Sequence, residues 1–142
     1  MENKKFNDIW KIDNQNEFII AMDNWICEKC SYGENIEKLS AAEKTFHLNQ
    51  EFERYVNNGG FISFFDHSDF IYDTINSLNE IRAYKTAEIY KKAIDSFDFE
   101  IPVDRMKRED ILINLSDDII DTLDEYSKEF FKYDNNLNDL NY

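Results

Sequence analysis

The sequence predicts an all-α fold, a compact single domain of several helices, and two observations carry that expectation. Only three glycines and one proline punctuate 142 residues, too few tight turns for a sheet-rich domain. Between them, apolar residues recur every three or four positions, the period of one helix face. With 42% hydrophobic and 15% aromatic residues, the chain can bury a substantial core, so its acidity does not signal disorder.

The first helix is expected over roughly Asp13 to Cys30, where Phe18, Ile19, Met22, Trp25 and Ile26 share helical spacing. Ser40 followed by Glu43 has the spacing of a capping box, so a second helix starts there. On it Ala41, Leu48, Phe52, Tyr55 and Val56 fall on one arc, and Glu43, Lys44, His47, Glu51 and Arg54 fall opposite. That helix is expected to end at Asn57, Asn58, Gly59 and Gly60, residues able to take positive φ at a C-cap. Phe61 to Phe65 then reads as a short buried aromatic segment, with His67 in the turn after it.

Two further helices follow, about Asp69 to Ile81 and about Tyr84 to Phe97, and should pair as a hairpin. Phe97 to Asp104 contains Pro102 and reads as a loop, because proline disfavours helix in the residue before it. Ile111 to Leu115 fits a strand or a helix equally well. The last helix opens at the N-cap residue Ser116, with Asp117 and Asp118 where the helix dipole favours negative charge. Ile119, Ile120, Leu123, Tyr126, Phe130 and Phe131 share its apolar face, and Asp117, Asp118, Asp121, Asp124, Glu125 and Glu129 share the other.

Thirty acidic against sixteen basic side chains give a net charge of −14 and a pI near 4.4. Such a surface repels DNA, RNA and anionic membranes, which are bound by Lys and Arg displacing counterions. Direct nucleic-acid binding and membrane binding are therefore excluded as expectations; a protein that presents carboxylates to a basic partner and one whose acidity only serves solubility both remain, and charge alone does not choose between them. Met1 to Trp10 lacks the apolar run of a signal peptide, and runs such as Phe18 to Met22 are too short to span a membrane. Together with two cysteines and no second pair, this predicts a cytoplasmic protein.

Cys27 and Cys30 form C-x-x-C, but with His47 and His67 the spacing is C-x2-C-x16-H-x19-H, which matches no standard zinc pattern. Packed thiols, no metal and no cofactor are expected. No nucleophile stands by motif beside either histidine, and Gly59 and Gly60 lack the Lys-Ser/Thr of a phosphate loop, so no catalytic residue and no enzyme activity is expected. The informative segment is Glu109 to Ser127, with seven carboxylates and no Lys or Arg. Carboxylates at i, i+3 and i+4 on a helix lie ~5–6 Å apart, the same order as neighbouring phosphates on a nucleic-acid strand. Asp117, Asp118, Asp121, Asp124 and Glu125 are thus the expected phosphate-mimicking contacts. A solvated helix face is the alternative for the same residues.

The string Val56, Asn57, Asn58, Gly59, Gly60, Phe61, followed by Phe64 and Phe65 and preceded by Leu39, Ser40 and Glu43, resembles a small acidic bacterial family named for a DNA-mimic protein. Its signature is Asn-Gly-Gly-Phe, here Asn58, Gly59, Gly60 and Phe61, and the similarity extends over roughly Leu39 to Tyr142. Arg82 stands where that family usually has glycine. The resemblance implies an all-helical homodimer whose acidic surface binds a DNA-binding protein in place of DNA, and a transcription factor is the partner expected here. One domain is then expected over 1–142, with 1–36 as an N-terminal helical extension. An immunity protein neutralising a basic toxin, and an acidic domain without mimicry, are the rival expectations.

Overall fold

The computed structural model describes residues 2–97 and 99–132, with side chains from Phe6 onward. Among the described residues there are seven α-helices and no strand: α1 (Glu2–Ile9), α2 (Gln15–Lys29), α3 (Ala41–His67), α4 (Asp73–Glu80), α5 (Tyr84–Asp95), α6 (Arg105–Ile113) and α7 (Asp117–Phe131). No described helix is long and apolar enough to cross a membrane.

Caps set most of the boundaries. The Asn14 side chain accepts from Glu17 N–H at the start of α2. At α3 the capping box forms: Ser40 Oγ accepts from Glu43 N–H (3.2 Å) and Glu43 Oε1 accepts from Ser40 N–H (2.9 Å). Burial alone would raise the Glu43 carboxyl, but the Ser40 N–H and Lys29 hold it below its ordinary value. Asp104 caps α6 and Ser116 caps α7.

Helix α3 differs from the sequence expectation. It does not end at Asn57–Gly60; it breaks there and resumes, reaching His67. Gly60 has φ 74° and ψ −170°, a conformation open essentially to glycine, and Gly59 is extended at φ −162°. The two glycines thus act as a kink between helical segments, and His67 is the last residue of α3 rather than part of a turn. The chain re-enters helix so soon because Phe61, Phe64 and Phe65 are all fully buried, and helical spacing turns them inward together.

These rings, with Phe52, Val56, Leu78, Tyr90, Leu123 and Phe130, form the main core between α3, α4, α5 and α7. Phe52 lies at its centre, edge-on to Phe64, Tyr90 and Phe130 at 5.1–5.5 Å. A second cluster, Ile9, Phe18, Ile19, Met22, Ile26 and Phe46, seats α1 and α2 on the start of α3. Two buried polar groups of this core are paired across the helices. Asn49 donates to the Ser77 carbonyl (3.0 Å) and accepts from Ser77 Oγ (2.9 Å), and Tyr90 donates to the Ile71 carbonyl.

Of the stretch Ile111 to Leu115, which fitted strand or helix, Ile111 to Ile113 form the end of helix α6, Asn114 is its C-cap and Leu115 lies beyond it. The anchor of α6 is Arg108, a fully buried side chain donating to the carbonyls of Phe65 and Val103. The Phe65 carbonyl belongs to the last turn of α3, the negative end of that helix, where a cation is favoured. Arg82, between α4 and α5, holds φ 62°, a left-handed conformation that favours glycine.

Glu53 on α3 is the poorly accommodated acid. Its Oε2 has no hydrogen-bond partner among the described residues, and burial raises its carboxyl above the ordinary 4.5 despite a hydrogen bond from Asn57. A folded value above the unfolded one favours the protonated form. That contribution is complete below pH ~4.5 and is lost as pH rises through the folded value. Glu53→Gln, neutral at every pH, is therefore expected to raise the melting temperature at pH 7 and to leave it unchanged at pH 4. Thermal melts at the two pH values check this.

Candidate functional site

Helix α7 lies against α3 and α5 through Leu123, Ser127 and Phe130, spaced i, i+4, i+7. That stripe turns the rest of the helix outward. Asp117, Asp118, Asp121, Asp124, Glu125 and Glu129 are all exposed, and Glu109 and Asp110 are exposed on the preceding α6. The five candidate contacts named from the sequence therefore share one solvent-facing side of one helix. Ile119, Ile120 and Tyr126 are half-buried on the inner side as expected, but Phe131 is 43% exposed and does not join the packed stripe. Residues 133–142, across which the sequence resemblance extends, lie outside the described residues.

What sets this face apart is the concentration of exposed acids on one helix. Four carboxylates elsewhere meet Lys or Arg: Glu43 with Lys29 (2.9 Å), Asp23 with Arg54 (3.2 Å), Asp8 with Lys11 (3.4 Å), Glu88 with Lys92 (3.6 Å). Along α7, among the described residues, only Glu125 is ion-paired, to Lys128 at 3.3 Å, and both side chains are largely exposed. Such a pair is worth little in water. Asp117 and Asp118 also occupy the first turn, where the helix dipole stabilises them as anions. The result is a row of exposed carboxylates with few partners among the described residues, suited to Arg and Lys donors.

A buried hydrogen bond fixes where the row points. Ser127 Oγ accepts from the Phe61 N–H (3.1 Å) and donates to the Leu123 carbonyl (3.0 Å). Phe61 N–H is freed by the break at Gly60, and α7 supplies its partner. The glycine kink and the acidic helix are thus coupled through one serine, a residue the amphipathic pattern alone does not single out.

A second cluster was missed from sequence. His47, placed by projection on the polar side of α3, is 3% exposed, because α2 covers that side. Its Nδ1 lies 3.8 Å from Cys27 Sγ, which lies 3.6 Å from Asp23 Oδ1. His47 Nε2 is 3.7 Å from Glu51 Oε2, too far for a hydrogen bond. Burial, then the Asp23 charge, push the Cys27 thiol up to about 12, and burial holds His47 below its ordinary value. Both cysteines are free and buried, in accord with packed thiols. The signal that could have found this group is the i, i+4 spacing of Asp23 and Cys27 on α2 and of His47 and Glu51 on α3.

A groove of about 710 Å³ runs between the N-terminal helices and α3–α4. Its lining is mainly apolar, including Phe6, Trp10, Phe18, Met22 and Ile81, and it lies apart from the acidic row.

A family model described as DMP19-like protein matches residues 37–142. No curated protein and no solved structure matches the chain. The family match corrects the assignment drawn from the Asn58-Gly59-Gly60-Phe61 string. The matching family is the DMP19-like one, which is different from the small acidic DNA-mimic family identified by that signature. In the fold the four residues form the kink of α3, a structural task that does not identify a partner.

Proposed function

We propose that this protein, which belongs to the DMP19-like family, acts as a DNA mimic: it binds a basic DNA-binding protein, a transcription factor, in competition with DNA. The family fits a DNA-mimic reading in general. The observation that carries the finer reading is the row Asp117, Asp118, Asp121, Asp124 and Glu125, exposed on one helix and nearly unpaired among the described residues. Each carboxylate would stand for a phosphate, accepting charge-assisted hydrogen bonds from Arg or Lys. The protein works by occupancy, with no reaction of its own.

Association driven by such a row is fast, steered and steeply salt-dependent. The test is capture of partners by the tagged protein from nuclease-treated lysate of the source organism, at low and high salt, then elution with duplex DNA. A DNA-binding protein that is retained at low salt, released at high salt and displaced by DNA is the expected result. Retention of a toxin would replace the proposed partner, and retention of no basic protein would overturn the proposal.

A further inference from the structure

We propose that Asp23, Cys27 and His47 form a binding site for a divalent transition metal of zinc type, joining α2 to α3. The three side chains offer a carboxylate oxygen, a sulfur and an imidazole nitrogen, all within 4.8 Å of one another. Zinc holds sulfur at ~2.3 Å and nitrogen or oxygen at ~2.0–2.2 Å in a tetrahedron. Those radii place neighbouring donors roughly 3.3–3.6 Å apart. The Sγ–Oδ1 and Sγ–Nδ1 separations of 3.6 and 3.8 Å are already close to such edges.

A second observation points the same way. The His47 ring is buried, yet its Nε2 has no hydrogen-bond partner, an arrangement that costs stability as it stands. With Nδ1 on a metal, Nε2 becomes the N–H, and the Glu51 carboxylate 3.7 Å away is placed to receive it. A carboxylate behind a ligating histidine is the usual outer partner that fixes tautomer and ring orientation. Arg54 holds the other oxygen of Asp23, Oδ2, at 3.2 Å, which leaves Oδ1 turned toward Cys27. Three protein donors leave a fourth position for water. Binding converts the Cys27 S–H to a metal thiolate and releases one proton per ion. Asp23 and Cys27, on α2, precede the family-matched residues 37–142, and His47, on α3, lies within them, so the site joins the two parts of the chain.

The test uses Co²⁺ as the probe on the full chain after chelator treatment. Expected are one Co²⁺ per chain, a sulfur-to-cobalt charge-transfer band, visible bands of four-coordinate intensity, and stoichiometric displacement of both by Zn²⁺. Cys27→Ser is expected to abolish the charge-transfer band, Asp23→Asn to weaken Co²⁺ binding at least tenfold, and Cys30→Ser to preserve it. Absence of the band at saturating Co²⁺ overturns the proposal, as does its persistence in folded Cys27→Ser. Should that variant fail to fold, the proton spectrum of Co²⁺-loaded wild type decides instead. Paramagnetically shifted His47 ring signals support the site, and unshifted ones overturn it.

Discussion

Replacing Asp117, Asp118 and Asp121 together with Asn is expected to weaken capture of the basic partner about 100-fold at low salt, with helicity unchanged. Three exposed charge pairs at about 1 kcal/mol each give about 3 kcal/mol, and every 1.4 kcal/mol is tenfold. The variant also loses two first-turn anions that favour the dipole of α7, costing ~0.3–1 kcal/mol each in stability. Ser116 still caps the helix, so circular dichroism well below the melting temperature should match wild type. The informative control removes three exposed acids elsewhere, Asp13→Asn, Glu34→Gln and Glu37→Gln, for the same change in net charge. Binding measured by titration at several ionic strengths separates the cases. Loss confined to the α7 variant supports the row as the contact surface. Equal loss in both means overall charge suffices, and no loss removes α7 from the interface.

How much of this was legible beforehand depends on whether local spacing or tertiary covering decides a residue's environment. The acidic side of α7 was readable because helix period, cap and charge all agree over fifteen residues, and packing left that side open. Helix α3 was harder. Gly59-Gly60 reads locally as an end, and only the pull of three buried phenylalanines beyond it carries helix on to His67. His47 was misplaced for the same reason: projection ranks it with Glu51 and Arg54, and nothing within α3 announces that α2 will lie over them. Helix α6 has few apolar positions in Arg105–Asp110 to show a period, and its buried anchor is an arginine, the residue type least expected inside. The i, i+4 spacing of Asp23 and Cys27 on α2 is visible in the sequence, but its meeting with His47, twenty positions on in α3, is a pairing that spacing rules tuned to short motifs do not reach.

Gly60→Ala is expected to be among the most damaging single substitutions outside the core, and Gly59→Ala to be damaging for a different reason. At Gly60 the backbone sits at φ 74° and ψ −170°, a conformation that costs a side-chain-bearing residue roughly 1–3 kcal/mol. A Cβ there would also come within 2.9 Å of Ser127 Oγ, the atom that accepts from Phe61 N–H and holds α7 in place. In a chain of this size a loss of 1–3 kcal/mol lowers the melting temperature by roughly 2–12 °C. At Gly59 the φ of −162° is open to any residue, and the obstacle is Ser63 Cβ, 2.8 Å from an added methyl. The double variants separate the two causes. Ser63→Gly should restore part of what Gly59→Ala loses, since it removes the colliding atom. Ser127→Ala should restore nothing to Gly60→Ala, since the backbone strain persists and the Phe61 N–H is left buried without its acceptor, a further ~1–3 kcal/mol. Thermal melts of the four variants read this directly. Rescue of Gly60→Ala by Ser127→Ala would mean that contact, not conformation, demands glycine there. Because the same serine seats α7, a fall in partner binding larger than the fall in folded fraction is expected for Gly60→Ala at temperatures below its melt. An unaltered affinity would show that the acidic helix keeps its place without the kink.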